Sequence, residues 1–235
     1  MVKVRYGVAD YPLTRIDTLT YRIVASRYPA ISLYDRVASQ AQFDVLYAVE
    51  SLTNNRLRDE LGIVEMVNPE DRVYGPGATF IMASFTHPPV NGMGGRFNRD
   101  FGVYYCAKQR DVAVSESCYH RSKLLREAGF ARETLDMRVI RAYLGPVTLT
   151  DITAVDDGRL YDSNNYTAGH QLGTALHAAN SYGLTYRSVR ADGVCFGVFR
   201  PLALTNALHW AYLRFHYEDG AITRVDEING EAGTD

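Results

Sequence analysis

The run from Gly94 to Glu116, GGRFNRDFGVYYCAKQRDVAVSE, concentrates side chains whose types and order could do chemistry. Two glycines precede Arg96, a short aromatic strand leads to Tyr105, and an acidic residue, Glu116, follows in the first turns of a helix. A glycine-rich bend lets backbone and guanidinium come close to a phosphate. An aromatic strand beside it can stack a planar ring, and a nearby carboxylate can stabilise developing positive charge. Together these parts suit a dinucleotide that is cleaved, not merely held.

The elements that must position them follow from periodicity and punctuation. Residues 102–107 read as a short strand, and Arg110 or Asp111 opens a helix reaching Glu127, with Gly129 just past its end. Val114, Cys118, Arg121 and Leu125 lie on one stripe of that helix, apolar except for Arg121. Upstream, Ser39 can cap a helix through AQFDVLYAVESL, and a second helix is expected from Asn54 or Asn55 to Leu61, stopped by Gly62. Residues 63–78 carry turn formers and read as a connection, while ATFIMASF is an apolar run of either type. Downstream, 137–150 contains one or two strands, 166–180 is helical, and 184–189 and 194–199 form a strand pair around a turn at 190–193. The last segment is a β-hairpin turning at Asp219-Gly220. The expected fold class is α+β: short, mostly antiparallel strands, flanking helices, and a helical N-terminal elaboration over about 35–80. No linker or repeat divides the chain, so 1–235 reads as a single domain.

Composition narrows the function classes. A hydrophobic content of 46% supports a substantial core, and a net charge of −2 argues against a general nucleic-acid binder. No run reaches the roughly 20 apolar residues of a membrane span, and the N-terminus does not resemble a signal peptide, so the expected location is the cytoplasm. Cys106, Cys118 and Cys195 have no CxxC spacing, as in a reduced protein with buried thiols. The histidines are scattered without a metal motif, GPGA at 75–78 lacks the rest of a P-loop, and no serine-hydrolase elbow is present. Neither a metal nor a prosthetic group is expected.

Four motifs in order resemble the RES domain family: Tyr21-Arg22; GGRFN with GVYYCA; Glu116, eleven residues after Tyr105; and YTAGHQLG followed by GLTYRSVR, which holds Ser188. The resemblance implies an ADP-ribosyltransferase-like core and an NAD+-consuming toxin of a two-gene toxin–antitoxin pair. NAD+ would then be a substrate, and the partner an Xre-type antitoxin with a helix-turn-helix. Carried over by motif, Arg22, Glu116 and Ser188 match the family's naming residues, and Arg96 and Tyr105 match additional site positions. On that reading Arg22 and Arg96 hold phosphates, Tyr105 stacks on nicotinamide, and Glu116 bonds the nicotinamide ribose and stabilises the cation. Ser188 orients the substrate or the arginine. ADP-ribose would pass to phosphate or water, or alternatively to a cytoplasmic protein.

Each residue also has an ordinary reading when taken alone. Glu116 is a solvated carboxylate near His120, Arg96 a loop arginine paired to Asp100, and Tyr105 a core residue alternating with Val103. Ser188 is a structural strand serine, and Arg22, near the start of its element, a surface residue. His170 and His177 are structural, while Tyr166 and Gln171 are candidates to line the cleft of Ser188. The ordered set carries the functional reading. Its rival from another class is a catalytically inactive module that only binds the antitoxin.

Overall fold

Long alternating segments set the architecture. In LTRIDTLTYRIVA, β-branched residues recur along the chain, which favours an extended strand that places successive side chains on opposite faces. The computed structural model describes residues 10–26, 34–51, 62–87 and 94–228. In chain order these contain β1 (Leu13–Ala25), α1 (Gln40–Ser51), α2 (Ala78–Thr86), β2 (Tyr104–Ala107), α3 (Arg110–Glu127), β3 (Arg132–Asp151), α4 (Thr167–Ala178), β4 (Gly183–Arg187), β5 (Val194–Val198), β6 (Leu204–Glu218) and β7 (Ala221–Ile228).

The strands form one sheet in the order β1-β2-β5-β4-β3-β6-β7, and β1 pairs with β3 as well. Hydrogen-bonded neighbours therefore close a circuit through β1, β2, β5, β4 and β3, with β6 and β7 extending from β3. Every pairing is antiparallel except β3–β4, which is parallel at Thr150↔Leu184 and Asp151↔Thr185. The α+β, mostly antiparallel architecture is the one expected. β3 and β6, with 20 and 15 residues, are longer than the sequence indicates, and β1, with 13, is a strand that the sequence analysis does not identify. Bulges break the local alternation, between Ile16 and Thr18 in β1 and between Val139 and Ile140 in β3, so a simple period-two reading fragments them.

The core has three parts. Ile81, Met82 and Phe85 of α2 pack with Tyr34, Phe43, Tyr104, Ile140 and Leu144 on one face. On another, Phe97 and Leu172 and Leu176 of α4 pack with Leu184 and Tyr186. Val114 and Cys118 of α3 lie against Met137, Val139, Leu213 and Phe215 of the long strands, which uses the apolar stripe expected for that helix. Burying such side chains at ~25 cal/mol per Å² fixes α3 to the sheet and leaves its other faces to the site.

The N-terminal region is tied on by aromatic contact, with Tyr34 and Phe43 stacked at 5.0 Å. Ser39 Oγ accepts the Gln42 N–H at 3.3 Å at the start of α1, as its capping role requires. ATFIMASF is helical, and 63–78 is a connection containing two 3-10 turns. The helix expected over 54–61 lies outside the described residues. Arg22 is not near the start of its element: it is the tenth residue of β1, where that strand meets β2 through Tyr21↔Ala107.

Candidate functional site

Glycines let the first wall form. A Cβ on Gly95 would fall 2.5 Å from the Tyr105 ring, so only glycine allows that ring to lie against the turn. Tyr105 then donates its hydroxyl to Asn98 Oδ1 at 2.8 Å and accepts the Phe97 N–H at 2.8 Å. Asn98 Oδ1 also accepts the Gly95 N–H at 2.9 Å. From the other side, α4 presents Gly169 and Gly173, where a Cβ would sit 2.2 Å from the Arg96 carbonyl oxygen and 1.7 Å from that of Phe97. His170 completes the seat with Nε2 2.9 Å from the Gly95 carbonyl. Burial raises the Tyr105 pKa, so its hydroxyl stays protonated as a donor.

Two expected arginines meet this wall differently. Arg96 is buried, 7% exposed, and donates through Nη1 to the carbonyls of Leu160 at 3.0 Å and Asp162 at 2.7 Å while lying over the Tyr166 ring at 4.7 Å. It is not paired to Asp100, which is near Arg99 instead. Arg22 donates to the Tyr105 carbonyl at 3.0 Å and lies over the Tyr104 ring at 4.8 Å, with its Nε buried and unpartnered. Burial lowers its pKa, with Tyr104 acting in the opposite direction.

The facing wall is α3 with the β4–β5 turn. Ser188 Oγ accepts the N–H groups of Arg190 at 3.0 Å and Ala191 at 3.2 Å. Two acceptor directions of the hydroxyl are thereby filled, and its one proton is donated to Glu116 Oε1. The other Glu116 oxygen lies 3.9 Å from His120 Nε2, one helical turn away. Burial lowers the His120 pKa; Glu116 opposes that shift, and Arg190 and Arg96 add to it. The Tyr186 pKa is raised first by burial, then by the nearby Cys195 and Glu116, with Arg96 opposing. Glu116 and Arg96 therefore act on the same two groups, the exposed His120 and the buried Tyr186.

The structure thus brings Arg22 and Arg96 to Tyr105, and Ser188 to Glu116. Tyr166 joins through Arg96, whereas Gln171 is exposed on α4. His177 stacks on Phe101 at 4.0 Å, within the protein's packing. Two residues that the sequence analysis does not single out for the site also belong to this geometry. Arg190 lies over the Tyr119 ring at 3.3 Å and donates to the Ser163 carbonyl at 2.7 Å. Tyr119 donates to the same carbonyl at 3.2 Å. The available signal was placement: Tyr119 is three residues after Glu116, and Arg190 two after Ser188.

Among the described residues, none of Arg22, Arg96 and Arg190 forms an ion pair with a carboxylate. Fold and geometry define an α+β domain in which Arg96, Arg190 and the serine-bonded Glu116 act on common groups, and among the described residues these arginines have no carboxylate partner. The chain belongs to the RES domain family, whose model matches residues 69–218 and so includes Arg96, Tyr105, Glu116 and Ser188 but not Arg22. Among solved structures it is similar to a chain of the M. tuberculosis MbcT–MbcA toxin–antitoxin complex. The identity is 12% and the TM-score 0.46, over 86% of this chain and 89% of that chain. No curated protein matches the sequence significantly. Among the described residues, no helix is long and apolar enough to cross a membrane.

Proposed function

We propose that this RES-domain protein is the toxin of a toxin–antitoxin pair and cleaves the nicotinamide–ribose bond of NAD+, passing ADP-ribose to phosphate or water. The observation that carries this reading is the Ser188–Glu116 hydrogen bond together with arginines that have no carboxylate partner among the described residues. Such a cleft favours a dianionic linker and one developing cation, the charge pattern of a pyridinium dinucleotide at its scissile bond.

Cleavage breaks the bond between the ribose anomeric carbon and the nicotinamide nitrogen; its electron pair leaves with nicotinamide, and the sugar gains oxocarbenium character. The leaving group is already cationic before departure, so it needs no proton from the enzyme. Glu116 supplies negative charge to the oxocarbenium centre. Ser188 holds Oε1, which leaves Oε2 to face the ribose, and a fixed carboxylate avoids reorganisation during the reaction. Tyr105 has its hydroxyl committed to the Gly94–Asn98 turn, so in this proposal it shapes the nicotinamide wall through that turn. Phosphate or water then attacks the anomeric carbon. The cytoplasmic antitoxin partner, of the Xre type, would act by covering the cleft.

The test is nicotinamide release from NAD+ by purified protein, with and without phosphate, beside Glu116→Ala. The expected result is release that falls about 10²- to 10³-fold in the variant, the magnitude for losing one oriented electrostatic group. ADP-ribose-1″-phosphate or free ADP-ribose would identify the acceptor, and a mass shift on an added lysate protein would replace this reading with protein ADP-ribosylation. No release under any condition would favour the inactive antitoxin-binding module.

A further inference from the structure

Arg96 and Arg190, which both act on His120 beside Glu116, differ in how much of the guanidinium is already spent. Arg96 is the more committed: one nitrogen bonds two carbonyls of the 160–162 stretch, the plane covers Tyr166, and the residue is buried. It fastens that stretch to the glycine turn. Arg190 is half-buried on the β4–β5 turn, and among the described residues its only side-chain hydrogen bond runs from Nη2 to the Ser163 carbonyl. Its Nε is buried without a partner, and Nη1 makes no hydrogen bond among the described residues. The Tyr119 ring at 3.3 Å holds the guanidinium flat and fixes its direction.

Position adds to availability. The Arg190 backbone N–H is bound to the same Ser188 oxygen whose proton goes to Glu116. A charge on Arg190 is therefore registered to the carboxylate through one short turn. A carbonyl acceptor does not neutralise a guanidinium, and a planar fork with spare donors is suited to phosphate oxygens.

We propose that Arg190, held flat by Tyr119, is the diphosphate-binding arginine of this cleft, and that Arg96 acts as a clamp on the 160–162 stretch. The inference rests on the NAD+-cleavage reading for its substrate but concerns a diphosphate site that can be measured without turnover. It reassigns to Arg190 the phosphate role expected of Arg96. Tyr119 is a positioning residue, since it reaches the ligand only through Arg190.

The experiment is ADP binding by titration calorimetry to the full chain and to Arg190→Ala, Arg190→Lys and Arg96→Lys, alongside kcat/KM for NAD+ and for nicotinamide riboside, which lacks phosphate. Arg190→Ala is expected to weaken ADP at least tenfold and Arg190→Lys less. It should also narrow the preference for NAD+ over the riboside at least tenfold. Arg96→Lys should lower the melting temperature more than it weakens ADP. Wild-type protein that does not bind ADP, or Arg190→Ala protein that binds ADP like the wild type, overturns the proposal. So does a loss on the riboside as large as on NAD+, because Arg190 would then only shape the turn. ADP binding that depends on Arg190 without any nicotinamide release would uphold the site while refuting the NAD+-cleavage reading.

Discussion

Arg200 and Arg190 show two uses of the same side chain. Arg200 grips Asp71 through Nε and Nη2 at 2.6–3.1 Å, and both side chains are largely buried. The Asp71 hydrogen bonds raise the Arg200 pKa and hold its charge against a carboxylate 129 residues away. That pair joins the turn before α2 to the 3-10 turn preceding β6. Arg190, by contrast, sits on a ring and a carbonyl, and the cleft's one oriented carboxylate is bonded to a serine. An arginine neutralised internally is committed to the fold; one left without a counter-ion keeps its charge for a ligand.

The sharpest way to break this contrast is to remove Asp71. Asp71→Ala leaves Arg200 partly buried and uncompensated, and should lower the unfolding free energy by about 3 kcal/mol. Urea denaturation with an unchanged m-value measures it, and ADP affinity should stay within twofold of the wild type. A stability change below about 1 kcal/mol would mean that the pair is replaced by solvent, and the contrast with the cleft would fail.

A smaller effect is expected from Tyr105→Phe. Losing the hydroxyl leaves the Phe97 N–H without its acceptor and removes one donor from Asn98, at a cost of about 1.5 kcal/mol. Thermal unfolding would show it, with a rise in KM for NAD+ exceeding any fall in kcat as the glycine turn loosens. Wild-type stability in Tyr105→Phe together with lost turnover in Tyr105→Ala would restore ring stacking as the role of this residue.

The smallest expected effect is a titration. His120 has its pKa lowered, first by desolvation from the packed protein around it, and because its side chain is half exposed the neutral form favours the folded state only slightly. That contribution is complete above the unfolded value near 6.5 and is lost as pH falls toward the folded pKa, because the unfolded chain binds the proton first. Arg190→Ala removes one lowering influence and should move the His120 resonance titration upward; Glu116→Gln removes the opposing influence and should move it downward. No change in either variant would place those charges outside effective range of the cleft.

Local chemistry made much of the scaffold legible. The α3 boundaries, the turn at Gly129, α4, the β4–β5 pair and the last hairpin all carry signals within a few residues of themselves. β1 carries a weaker signal: β-branched residues recur along it, but its Ile16–Thr18 irregularity interrupts the alternation and its pairing partner β3 lies more than 100 residues away. Taken alone, Arg22 therefore reads as a surface residue, and only the ordered set of motifs points to it, whereas β1 carries it to the Tyr105 carbonyl.

By itself, the sequence determined which residues belong together as an ordered set and that glycines flank Arg96, since composition and spacing are properties of the chain. Only the tertiary structure decided how each donor is used: Arg96 is occupied by carbonyls, Arg190 has donors to spare, Tyr105 locks a turn, and Ser188 aims Glu116. The reason is that a hydrogen-bonding group's function depends on which of its few directions are already filled, and those are filled by residues remote in sequence.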